Sequence, residues 1–110
     1  MQGYDESAAA AYIAPRVKRD MDAGFALDVA VLVKNAIELD LLYMEENGVL
    51  DAEGYAGEGE YDEDDAFEYI LEGLVERLGL DDDGEMLAAQ ALDAFAGYRE
   101  EYMEKAGLCL

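Results

Sequence analysis

FALDVAVLVKNAIELDLLYMEE, residues Phe25 to Glu46, is the longest apolar run in the chain and decides how the chain folds. At about 100° per residue it predicts a helix of about 22 residues, roughly 33 Å long. Asp28, Lys34, Asn35, Glu38, Glu45 and Glu46 fall in one arc of that helix. Apolar side chains, including Val31 and Leu42, cover nearly all the rest. So apolar a helix must be covered on several sides, and the other segments are expected to pack around it or to share it with a twofold mate. One residue breaks the pattern. Asp40 projects into the apolar arc between the directions of Val29, Val33, Ala36 and Met44, where burial would raise its pKa unless Arg16, Lys18, Arg77 or Arg99 pairs with it.

Upstream, Asp5 to Asp22 begins as an alanine-rich helix that Pro15 interrupts, so a short helix followed by a kinked or second one is expected. Arg16, Lys18 and Arg19 put three of the seven basic residues into one turn, which is expected to dock on acids of the other helices. Gly24 then marks a hinge or break. Downstream, Asn47 and Gly48 end the central helix and open a long loop, GVLDAEGYAGEGEY, to Tyr61. A short extended pair is tolerable there, around Val49 and Tyr55.

Asp62 to Leu78 is the cleanest amphipathic helix, with Phe67, Ile70, Leu71, Leu74 and Leu78 on one face, Asp62 and Asp65 as a capping pair, and Gly79 at its end. Asp82 with Glu85 is expected to start the last helix, from about Asp83 to Ala106, with Gly97 allowing close helix approach. The fold class that follows is all-α: a small four-helix bundle around a central apolar helix, forming one domain over residues 1–110 with one long acidic, glycine-rich loop.

The dominant number is the net charge of −21, from 28 acids against 7 bases. Self-repulsion on that scale opposes compaction, and the 53% of hydrophobic residues must overcome it. Nucleic acid and anionic membrane are repelled by such a field, whereas basic proteins are attracted. The chain has no His, no Thr and no Trp, one serine (Ser7) and one cysteine (Cys109), which leaves few nucleophiles or general bases, so enzyme activity is not expected. The single cysteine excludes an intrachain disulfide framework and fits a reducing compartment. No uncharged run approaches the roughly 20 residues of a membrane span, and a soluble, cytoplasmic protein is expected.

Carboxylates are the only abundant functional groups. Asp81, Asp82, Asp83 and Glu85, and Asp62 to Asp65, lack the alternating ligands and central glycine of a calcium loop and read as helix N-caps, so neither a metal nor a cofactor is expected. Asp65, Glu68, Glu72 and Glu76 recur every three or four residues and form a stripe opposite the apolar face of their helix. Acids one turn apart repeat at about 5.4 Å, against about 3.4 Å between phosphates of one duplex strand, so a single stripe is too sparse to match DNA. Asp62, Glu63 and Asp64, the loop acids Glu58 and Glu60 beside Tyr61, and Asp93, Glu100, Glu101 and Glu104 of the last helix raise that density over one side.

In composition and expected architecture, a small, helical, tryptophan-free and strongly acidic chain resembles phage-encoded anti-restriction and anti-CRISPR DNA mimics. That resemblance implies a non-enzymatic inhibitor that occupies the basic nucleic-acid channel of a partner protein. The expected contact residues, read from the stripe and its surroundings, are Asp62, Asp65, Glu68, Glu72 and Glu76 with Glu58, Glu60 and Tyr61. Two other readings compete: a salt-adapted structural or housekeeping domain kept soluble by its acids, and an antitoxin-like regulatory binder without duplex mimicry.

Overall fold

The computed structural model describes residues 6–21, 25, 27–48 and 62–105 as four helices: α1 (Glu6–Asp20), α2 (Val29–Glu46), α3 (Glu63–Leu78) and α4 (Asp82–Lys105). Expectations for Gly24, for the loop around Val49 and Tyr55, and for Ala106 and Cys109 fall outside the described residues. The helices form an all-α bundle of 39 × 24 × 19 Å. In it α1 packs on α2 and α4, α2 packs on α3, α3 meets α4 along a thinner seam, and α2 and α4 face each other across the diagonal.

Local chemistry sets the boundaries. The central helix starts later than its apolar run: Asp28 is extended, and its carboxylate accepts the Val31 amide at 3.2 Å, so Asp28 is an N-cap and not a member of the polar face. Phe25 and Leu27 precede the cap and pack against the core from outside the helix. At α3, Asp62 Oδ1 accepts the amides of Asp64 at 3.0 Å and Asp65 at 3.2 Å. Gly79 closes that helix in the left-handed conformation, φ 61°. The cap of α4 is Asp81, not the expected Asp82, because Asp81 Oδ1 accepts the Gly84 amide at 2.8 Å.

Pro15 does not divide α1, which runs unbroken through it. The ring sits on the exposed side, where the Ala11 carbonyl that loses an amide partner faces water instead of the core. Ala9, Ile13 and Val17 lie on the opposite side and are fully buried.

The core forms two apolar clusters. The larger gathers Ile13, Leu32, Ile37, Leu74, Leu92 and Phe95, among others, and the smaller holds Tyr43, Met44, Ala66 and Met103. Between them sits the Asp40–Arg99 pair, with Arg99 Nε donating to Asp40 Oδ2 at 2.5 Å. Of the four cations that the sequence offers Asp40, Arg99 is the one that pairs with it: Asp40 is 0% exposed and Arg99 only 8%. The arginine also donates to Met44 Sδ at 3.4 Å, so a single polar layer ties the diagonal helices together.

Two expectations of packing are corrected. Val31 (44% exposed) and Leu42 (40%) lie outside the core, because the helical period places them in the same arc as Asn35 and Glu38. Gly97 is not a close-approach residue: it is exposed, and a Cβ there would meet nothing within 4 Å. That role belongs to Gly73, against which the buried Leu39 packs so tightly that a Cβ would fall 2.5 Å from Leu39 Cδ2.

Candidate functional site

The stripe is assembled by α3. Its amphipathic period buries Ala66, Ile70 and Leu74 and turns Asp65, Glu68, Glu72 and Glu76 to solvent, all four exposed. Among the described residues no lysine or arginine pairs with any of them. Acids in the first turn are favoured by the helix dipole, and Asp62 is committed to capping while staying exposed. The structure therefore brings together five of the expected contact residues; Glu58, Glu60 and Tyr61 lie outside the described residues.

The arginines make their polar contacts with other groups. Arg77, on α3 itself, reaches toward α2 and holds Glu38 Oε1 and Asn35 Oδ1, both at 3.3 Å. The basic turn of α1 does not dock on acids of other helices as expected but on tyrosines. The Arg16 guanidinium lies 3.7 Å from the Tyr12 ring centroid, and Arg19 donates to the Tyr98 hydroxyl at 3.1 Å, a bond that raises the Arg19 pKa further. Tyr98 in turn donates to Asp20 at 2.6 Å. Tyr12 donates to Glu101 at 3.2 Å, which ties that acid to α1 and removes it from the α3 side.

On the seam between α3 and α4 lies a cleft that sequence reasoning missed. Its volume is about 130 Å³, and it opens to solvent. Phe67, Ile70, Leu92 and Phe95 form an apolar wall, Ala96 and Gly97 lie along the α4 side, and Glu63 and Glu100 bring one carboxylate from each helix. Both glutamates are exposed, and among the described residues neither has a basic partner. Arg99 also lines the cleft, its charge matched by Asp40. No local sequence pattern signals it; in the structure Phe67, one residue of the apolar face, is half-buried, and Gly97 is exposed with nothing within 4 Å of a Cβ built there. Glu100 continues into Asp93, about two turns before it on α4, and Glu104, about one turn after it, both exposed, so the cleft joins two acidic helix faces.

Two tyrosines stand between α2 and α3. The buried Tyr43 and half-buried Tyr69 pack with ring centroids 5.6 Å apart, and Tyr43 donates to the Asp62 carbonyl at 3.4 Å. Burial raises both phenol pKa values, reinforced at Tyr43 by Asp65 and at Tyr69 by Glu46. A phenol whose folded pKa exceeds its unfolded one contributes stability that is fully present below about pH 10 and lost as pH rises through the folded value. The melting temperature is therefore expected to fall steeply above about pH 10, and Tyr43→Phe to soften that fall while tyrosinate absorbance loses its latest-titrating component. An alkaline melting profile identical in the two proteins would contradict this.

Among the described residues no group of three or more acidic or cysteine side chains is placed to hold a metal ion, and no helix is long and apolar enough to cross a membrane. Among the described residues the arrangement supplies an acidic α3 face whose stripe makes no ion pair, an aromatic-walled cleft on the α3–α4 seam, and a second recess in which Arg77 stands with Tyr69, Glu72 and Glu76. Comparison with protein-family models, with curated proteins and with solved structures gave no match.

Proposed function

We propose that this chain is a non-enzymatic acidic binding protein that engages the basic surface of a nucleic-acid-handling protein and inhibits it by standing in for DNA. The observation that carries the reading is the stripe of Asp65, Glu68, Glu72 and Glu76, exposed and without a basic partner among the described residues, joined through Glu63 and Glu100 to Asp93 and Glu104 on α4. Magnitude supports it. A duplex 39 Å long carries about 23 phosphate charges at one per about 1.7 Å, and this body, 39 Å long, belongs to a chain of net charge −21. Such a field attracts a lysine- and arginine-lined channel at long range and gives fast, salt-sensitive association.

The testing experiment is affinity capture from bacterial lysates at low and high salt, with and without DNA or RNA competitor. Retention of one or a few nucleic-acid-binding proteins, released by competitor, is the expected result. Exposed acids also stand away from the stripe, at Glu45 and Glu46 on α2 and Asp81 to Asp83 before and within α4, and these favour the salt-adapted alternative. That alternative is chosen instead if nothing is retained selectively and the fold melts at low salt but is restored by molar salt.

A further inference from the structure

We infer that the cleft between α3 and α4 seats one arginine side chain of the basic partner, its guanidinium between Glu63 and Glu100 and its aliphatic stem along Phe67 and the exposed Ala96–Gly97 stretch of α4. This rests on the proposed binding of a basic protein and names how that protein is anchored. The chemistry of the cleft selects the occupant. Its wall is aromatic and aliphatic, which suits the stem of a long side chain, and its two unpaired carboxylates come from opposite sides, which suits a planar cation with several donors. An apolar ligand would leave both carboxylates unmatched, and an anion would be repelled by them.

Arg99 in the same wall does not reverse this. Its Nε is held by Asp40 at 2.5 Å, so the pair contributes little net charge and Glu63 and Glu100 set the sign of the cleft. Arginine is preferred to lysine because a guanidinium stacks flat on a ring and forks to two carboxylates, whereas an ammonium is a compact, strongly hydrated charge. The molecule already shows the contact internally, where the Arg16 guanidinium lies 3.7 Å from the Tyr12 ring centroid.

The test uses the full chain with octa-arginine and octa-lysine peptides as probes, following side-chain NMR signals and affinity. Two variants separate the cleft from the general field. Gly97→Leu fills the cleft beside Phe95 with no change of charge, and should fold well because a Cβ there meets nothing within 4 Å and glycine is a poor helix former. The double variant Glu63→Gln, Glu100→Gln keeps the shape and removes two of 28 acids. Octa-arginine is expected to shift the Phe67, Ile70 and Phe95 signals and to bind about tenfold more tightly than octa-lysine, and each variant is expected to erase that margin. The inference is overturned if those signals stay still, if octa-lysine shifts them equally, or if Gly97→Leu retains the margin. Because the peptides need no natural partner, a failure here is distinct from a failure of lysate capture.

Discussion

Replacing Asp40 by alanine is expected to destabilise the fold by about 3 kcal/mol, and replacing Arg99 by leucine by as much as about 5 kcal/mol. Among the described residues the pair is the buried charged layer between two apolar clusters, and it bridges helices that otherwise meet only across the diagonal. Removing either member leaves the other charge in the core without its counter-ion, and that desolvation penalty exceeds what the intact pair contributes. The two variants differ because Asp40 is fully buried, whereas Arg99 lines the open cleft and its guanidinium can recruit water once Asp40 is gone. A loss of about 3 kcal/mol lowers the melting temperature by more than about 10 °C in a domain of this size. Changing both residues together, Asp40→Leu with Arg99→Met, is expected to recover most of the stability, since a buried pair can be exchanged for apolar residues at little cost. Partner binding through the stripe should survive in the folded double variant, because neither residue belongs to the stripe, whereas Asp40→Ala leaves the Arg99 charge uncompensated in the cleft wall and should weaken only an arginine seated there. Unchanged denaturation midpoints, or an Asp40→Ala protein that melts normally but no longer binds, would overturn this account.

Asp40 also shows what the sequence makes legible. Its place in the apolar arc follows from the helical period alone, and a net-negative chain with few arginines leaves a short list of partners, from which only packing selects Arg99. The four helices were readable for similar reasons: Asp62 and Gly79 are chemical end-markers whose caps the structure reproduces. The start of α2 was not, because an apolar run does not reveal that the Asp28 side chain competes for the Val31 amide and ends the helix there. Pro15 was misread because its cost depends on whether the carbonyl it orphans is buried, which is a property of the bundle and not of α1. The stripe lies on a single helix and was visible as a period. The cleft was not, because Phe67, Glu63 and Glu100 are brought together by two helices whose relative rotation no local pattern encodes.

Reversing the stripe, with Asp65, Glu68, Glu72 and Glu76 all changed to lysine, is expected to weaken partner binding by at least about a hundredfold and to flatten its salt dependence. The fold should tolerate the change. All four positions are exposed and without basic partners among the described residues, so no ion pair is lost. Lysine is a good helix former, and the only local penalty, a cation in the first turn at position 65, is about 0.3–1 kcal/mol. A control separates a shaped face from bulk charge: reversing Glu6, Glu45, Asp82 and Glu85 makes the same change in net charge at exposed positions on α1, α2 and the first turn of α4, off the stripe. If a partner reads the α3–α4 side as it would a stretch of phosphates, the stripe variant loses far more affinity than the control, because charges beyond about 10 Å from the contact are screened at ordinary salt. Equal losses would mean that net charge alone drives association, as the salt-adapted reading requires. Undiminished affinity in the stripe variant would remove this face from the contact altogether, and the search would pass to the acids of α2.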